Sequence, residues 1–563
     1  MHASKTAAII TIELSSVEEL PSAQQRIHVL SVARISIHGV DVNNDVEERH
    51  ENVICNFQTR KKLSFPITHH CANNNGNDSN NDTPPIILNR LIEALRGGNH
   101  KIILREWKQG ARWWNLNMNN HANTSSTSST GTTNDNCSNT LSMARAEVAG
   151  YRLAKWAIHK SQQHCDKKRR KTTRLYIPDV LYFSHDGNDN LDTDGAPWAL
   201  LSYHGDCQKG RNSDEHDKGT NIDINILLNS SLNWDLLNAT SAVVKTTQSF
   251  ASLEESNHFI ECKHYPSSMT KFRHEFGFDE PHPRHGRVPI DDCLEYAQMI
   301  LREVVLPIQF SFFEWSLSSS SSLLSSSDGS TAEMLRIHLC ALGVDRQTAK
   351  PYHYHDMVPL YRLALQRLST AQQNSVRVDD ERMDVLLQMM KECVDTLESH
   401  EWDVHDGRHP PFLPPVLCHM DLQPQNLTFF HGRKCDENHQ YGNVHVSKHC
   451  SIASVMDFEE AAYADPRFEV LLICRKVLAN IDQAQELWKS YSTHVKLRTM
   501  WDVGPIEPWL RLETVHSLLT LMLQANDLLG CGRHPWETKP DLWGKIDRER
   551  RRLVAMGWSF CSI

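Results

Sequence analysis

The sequence predicts an α+β protein: a small mixed lobe, made of a β-sheet and one main helix, followed by a larger, mostly helical lobe. Three observations carry this. Before residue 205, apolar runs of strand length bracket one long stretch with helical periodicity. After it, apolar positions recur mainly at helical spacing. Two short apolar runs then interrupt the helices, "VLC" before His419 and "SIASV" before Met456, and each leads into a polar loop.

The first 84 residues read as an N-terminal extension whose "VLSVARISIHGVDV" is a strand pair able to complete the small lobe's sheet. Residues 85–205 read as the small lobe. In it "HKIILREW" is a strand, "SMARAEVAGYRLAKWAIHK" is a helix, and "RLYIPDVLYF" and "PWALLSYHG" are strands on either side of the turn-rich "SHDGNDNLDTDGA". Residues 206–563 read as the helical lobe, with helices at "IDDCLEYAQMILREVVLPIQFSFFEW", "MVPLYRLALQRL", "RMDVLLQMMKECVDTLESH", "FEVLLICRKVLANIDQAQELWKSYS" and "WLRLETVHSLLTLMLQANDLL". Four segments are too polar and repetitive to pack: one from Cys71, one near 115–140, one near 316–331 and one near 431–450. They read as insertions within one fold, with a domain linker as the alternative for the first.

A length of 563 residues holds two or three domains or one large two-lobed unit, and 40% hydrophobic with 23% charged residues is ordinary globular composition. The net charge of -10 gives no reason to expect nucleic acid. Fifteen cysteines without a C-x-x-C pair read as reduced thiols. The N-terminal apolar stretch is too short for a secretory leader and no window reaches a membrane span. A cytoplasmic location without a membrane partner is therefore the expectation.

The chemistry concentrates in "HMDLQPQN" and "MDFE". Phosphoryl transfer needs a carboxylate at the acceptor hydroxyl, metal ions on the phosphates and a cation beside them. Asp421 is expected to orient the acceptor and accept its proton. Asn426 offers an amide oxygen to Mg²⁺, and Asp457 is expected to hold the metal bridging the phosphates of ATP. H-x-D-x-x-x-x-N alone is a weak signal. Its flanking apolar runs, the Leu-x-Pro within it and the later D-F-E tighten it, because they stand in the order a catalytic loop and a metal loop require.

These residues resemble the aminoglycoside phosphotransferase and choline kinase superfamily, whose loop reads like H-G-D-L-H-P-x-N and whose metal motif reads like D-F/W-E followed by G-D-P and an acidic residue. Here "DFEEAAYADPRFE" keeps Asp457, Asp465 and Pro466, with Ala464 for the glycine and Glu469 for the usual aspartate, and Gln423 stands where histidine is common. The likeness runs over roughly residues 85 to 480. It implies a protein-kinase-like two-lobed fold, ATP and Mg²⁺ as cofactors, and transfer of the γ-phosphoryl group to a hydroxyl of a small molecule. It also implies that His419 braces the loop rather than reacts. The hinge-like "PWALLSYHGD" would put Ser202 and Tyr203 beside the nucleotide. Kinase-like folds pair a basic strand residue with a glutamate on the next helix, which selects Arg105 and Glu147, with Lys108 as the rival cation. Gly97 and Gly98 are a phosphate loop or, more in keeping with hairpin chemistry, the turn entering the strand.

Two other readings compete: a pseudokinase that keeps the fold as a binding module, and a protein kinase. Against the second, "FEVLLICRKVLAN" follows Asp457 too closely for an activation segment. Histidines 274, 282, 285, 353 and 355 with Asp356 could bind a transition metal, although structured loops explain them without one. The basic run from Asp166 reads as a solvated loop or a targeting signal, and Trp113 with Trp114 as packing or a stacking pair. Glu513 and Asp527 could meet a cationic acceptor or face solvent. The acceptor itself is not readable from the sequence.

Overall fold

The computed structural model describes residues 6–20, 25–41, 62–68, 100–107, 134–164, 175–185, 197–203, 223–227, 259–260, 293–321, 329–344, 381–398, 413–422, 426–431, 450–478, 481–530 and 538–555, with isolated residues in 90–95 and 362–369. It is α+β, with a sheet at the N-terminal end and a mostly helical remainder.

The strands before residue 230 are β1 (Thr6–Leu20), β2 (Gln25–Asp41), β3 (Lys62–Thr68), β4 (Lys101–Trp107), β5 (Val180–Phe183), β6 (Trp198–Ser202) and β7 (Asp223–Leu227). They form one sheet in the order β3-β1-β2-β4-β6-β5, antiparallel along that path, with β7 parallel to the far end of β2. The N-terminal segment contributes three of these strands, and "VLSVARISIHGVDV", expected to be a strand pair, runs instead along the one long strand β2. Alternation along β4 divides its side chains. Ile102 and Leu104 join an outer apolar core with Ile10, Leu30, Phe65 and Trp198, while Trp107 joins the main core on the other face. That inner face meets helix α1 (Asn134–His164), which starts within the polar run expected to be an insertion up to residue 140.

The helical part comprises α2 (Cys293–Ile300), continued through a π-helical turn at Leu301–Val305 into α3 (Leu306–Ser321), then α4 (Gly329–Leu339) and α5 (Glu381–Glu398). Later in the chain come α6 (Arg467–Val477), α7 (Ile481–Thr499), α8 (Glu507–Gly530) and α9 (Asp541–Ala555). The insertion expected at 316–331 shrinks accordingly, since α3 reaches Ser321 and α4 starts at Gly329. Buried Phe310, Phe312 and Phe313 drive α3, and serine is only mildly unfavourable in a helix. Residues 468–492, read as one helix, are two. Buried Leu478 is extended, with φ -81° and ψ 153°, and turns the chain so that both helices pack on the main core. Helix α9 escaped the sequence reading because its buried face, Leu542, Ile546, Glu549, Arg552 and Leu553, mixes charge with apolar residues.

The short apolar runs beside the polar loops form strands, as the sequence reading expects, and two further short strands that it did not contain pair with them. The pair β8 (Phe259–Ile260) and β10 (Leu427–His431) sits beside β11 (Cys450–Val455), and β9 (Val416–Cys418) pairs with β12 (Ala462–Ala464). No helix among the described residues is long and apolar enough to cross a membrane.

Candidate active site

Two short antiparallel ladders bring the polar loops together. β10 pairs with β11 from Leu427↔Val455, and β9 pairs with β12 through Ala462↔Cys418 and Ala464↔Val416. The loop after β9 and the turn after β11 are thus held side by side. Met456 N–H donates to the Asn426 carbonyl at 2.9 Å, and His419 Nε2 lies 2.8 Å from the Met456 carbonyl. His419 Nδ1 accepts the Asp421 N–H at 3.3 Å, so Nε2 carries the ring proton and donates to Met456. Both histidine nitrogens are engaged within the loop, which is a bracing arrangement.

The bend at Met420 is left-handed, φ 65°, and is clamped by Glu469 of α6, whose carboxylate accepts the N–H groups of His419 and Met420. Asp465, also singled out by the motif, is structural. Its carboxylate accepts the Leu413 N–H at 3.0 Å and both arms of Arg467, at 2.9 and 2.6 Å, and Arg467 in turn stacks over Trp509. Asn426 donates both amide protons to Asp421, at 2.9 Å to its carbonyl and 2.8 Å to Oδ2. The Asn426 amide oxygen is then the atom left to meet a cation.

Arg105 of β4 reaches three carboxylates. Its Nη2 lies 2.7 Å from Glu147 Oε1 on α1, 2.7 Å from Asp457 Oδ1 and 3.7 Å from Glu459 Oε2. Glu147 is fully buried and also accepts Trp107 Nε1–H at 2.8 Å. Asp457 keeps 30% of its side chain exposed. Burial alone would lower the Arg105 pKa, but Glu147 and Asp457 outweigh it, so the guanidinium is held firmly charged. Burial, then Asp457 and Glu147, push the Glu459 carboxyl up to about 8. Arg105, Glu147 and Asp457, expected to act together, do meet, and Asp421 with Asn426 form a second contact pair. Glu459 was missed as a neighbour of Arg105, although its place in D-F-E made it visible.

Ser202 stands at the end of β6. Its hydroxyl accepts the Asp179 N–H at 2.7 Å and bonds the Tyr176 hydroxyl, and its own N–H donates to Asp179 at 2.9 Å. Its side chain is buried in a latch between β6 and the segment before β5 rather than presented to a ligand. Tyr203 is half-buried, with Lys101 Nζ 5.4 Å from its ring centre. Glu513 is committed to Arg475 at 2.6 Å, which removes it as a receptor for a cationic acceptor. Lys108, Gly97, Gly98, Gln423, Trp113, Trp114, the histidine clusters, the basic run and the side chain of Asp527 lie outside the described residues.

Among the described residues no group of three or more His, Cys, Asp or Glu side chains forms a metal cage. Magnesium does not need one: it takes one or two protein carboxylate or amide oxygens and keeps water or phosphate for the rest. The donor set here, the Asp457 carboxylate and the Asn426 amide oxygen, fits that chemistry. No family model, curated protein or solved structure matches this chain.

Proposed function

We propose that the chain is an ATP-dependent phosphotransferase with a protein-kinase-like two-lobed fold, moving the γ-phosphoryl group to a hydroxyl of a small molecule. The observation that carries it is the convergence of Arg105, Glu147 and Asp457 from three separate elements beside the Asp421–Asn426 loop. Arg105 stands on the strand next to the β1–β2 hairpin and Glu147 on the helix that follows that strand, the pairing a kinase-like lobe uses.

In this reading, bound Mg²⁺ and ATP supply the transferable phosphoryl group and the charge neutralisation it needs. Asp457 and Asn426 hold the metal through oxygen. Arg105, fixed by Glu147, faces the phosphates. Asp421, steadied by the two bonds from Asn426, orients the acceptor hydroxyl and takes its proton. A small acceptor is favoured because α6 begins at Arg467, directly after the short β12, with no span for a peptide-binding activation segment.

Thermal unfolding with and without saturating Mg·ATP tests the nucleotide site without knowledge of the acceptor. Wild type at about a hundred times the dissociation constant gains roughly 2.7 kcal/mol, and Asp457→Ala does not. With the acceptor found, Asp421→Ala lowers turnover by about 10² or more; retention within about tenfold refutes the assigned base.

One observation favours a second reading, a binding module without transfer activity. The connection between β1 and β2, where a kinase-like fold carries a glycine-rich phosphate loop, reads Pro-Ser-Ala-Gln and contains no glycine. Absence of a Mg·ATP shift in wild type would support that reading.

A further inference from the structure

Asp457 adopts φ 65° and ψ 66°, a left-handed conformation uncommon for residues with a side chain, though aspartate and asparagine reach it more readily than most. Its backbone N–H donates to the Tyr151 hydroxyl oxygen at 3.0 Å. Tyr151 lies on α1, one turn beyond Glu147, and is buried. Its ring packs on Phe458 with centroids 4.9 Å apart. The helix comes this close because residue 150 is glycine: a Cβ there would stand 2.9 Å from Phe458 Cβ and 3.1 Å from Ala461 Cβ. A phenylalanine at 151 would fill the same volume and make the same ring contact. A buried hydroxyl is costly unless it is satisfied, so the Asp457 N–H accounts for the choice of tyrosine where packing does not.

We infer that Tyr151 is a positioning residue for the metal carboxylate: by accepting the Asp457 N–H, it holds Asp457 in the one backbone conformation that brings its carboxylate to Arg105. This deepens the phosphotransferase reading and rests on it for the metal, while the hydrogen bond itself is independent of that reading. Glu147 and Tyr151 stand on the same helix, so one element orients both the phosphate cation and the metal ligand.

The test compares wild type with Tyr151→Phe in two measurements. The first is hydrogen exchange at the Asp457 amide in the protein without ligands. The second is the Mg²⁺ concentration giving half of the ATP-dependent thermal shift. Loss of a hydrogen bond that orients a metal ligand is expected to speed exchange about tenfold and raise half-saturating Mg²⁺ about tenfold, with ATP affinity at saturating Mg²⁺ within about twofold. Unchanged exchange overturns the inference whether or not ATP binds. Faster exchange with an unchanged Mg²⁺ requirement overturns it too, because the hydroxyl is then only structural. A wild type with no Mg²⁺-dependent shift overturns the phosphotransferase reading, and metal positioning with it, while the exchange result still reports on the contact. If Tyr151→Phe fails to fold, Tyr151→Leu removes the hydroxyl with a smaller side chain and is read by the same two measurements, and unchanged exchange at the Asp457 amide overturns the inference.

Discussion

Two clusters of buried charge stand in different parts of this molecule, and their stoichiometry differs. In the first, Arg475 of α6, Glu513 of α8 and Glu549 with Arg552 of α9 form a neutral set of two and two. Its contacts run from 2.6 to 3.9 Å, and no side chain in it is more than 13% exposed. In the second, Arg105 faces three carboxylates among the described residues, Glu147, Asp457 and Glu459, and exposure rises from 0% at Glu147 to 30% at Asp457. A sealed, balanced set pairs its charges with one another and joins three helices. A set that opens to solvent at one carboxylate is the one the proposed metal site uses, and there burial first, then Asp457 and Glu147, raise the Glu459 pKa. Burial of charge by itself does not mark a site.

The comparison breaks first at Arg475. Arg475→Ala leaves Glu513 and Glu549 sealed with less cation, and should lower the free energy of unfolding by about 3–5 kcal/mol in urea melts. Any Mg·ATP stabilisation of the folded fraction should survive; a loss under about 1 kcal/mol would mean the network is solvated. Arg105→Ala should cost less, about 2 kcal/mol, because Trp107 still donates to Glu147 and Asp457 regains water, but Mg·ATP stabilisation should disappear. If that stabilisation persists, the phosphate cation lies elsewhere.

Asp457→Asn sharpens the contrast. Asparagine tolerates left-handed backbone, and the lost ion pair is partly exposed, so stability without ligands should stay within about 1 kcal/mol of wild type. The Mg²⁺-dependent shift should nevertheless be lost; retention would remove Asp457 from the metal site. The smallest effect belongs to the exposed i,i+4 pair Asp541–Lys545, on the same helix as Glu549. Lys545→Ala should cost only about 0.2–0.5 kcal/mol, and less in high salt. A cost comparable with that at Arg475 would show that position on α9, not sealing, sets the energetics.

Much of the candidate site was legible in the sequence because it is local. His419, Asp421 and Asn426 lie within eight consecutive residues, and apolar runs on both sides give the loop its frame. The strand bearing Arg105 and the helix bearing Glu147 were legible from periodicity, and β4 and α1 are where that periodicity puts them. Ser202's contacts were not legible because a polar residue at a strand end looks the same whether its hydroxyl meets a ligand or, as here, Asp179 and Tyr176. Strands β7, β8 and β12 were not legible at all. They are short, and each is a strand only because a partner lies beside it.

The sequence by itself determined the α+β character, the order of the polar loops and the residue types that can bind a cation or take a proton, since these follow from local pattern and side-chain chemistry. Only the tertiary structure decided that Arg105 meets Asp457 across 352 residues, that Glu513 is spent on arginines and that Tyr151 caps the Asp457 amide. Such contacts are made by packing whole elements against one another. No periodicity along the chain encodes which buried face will meet which.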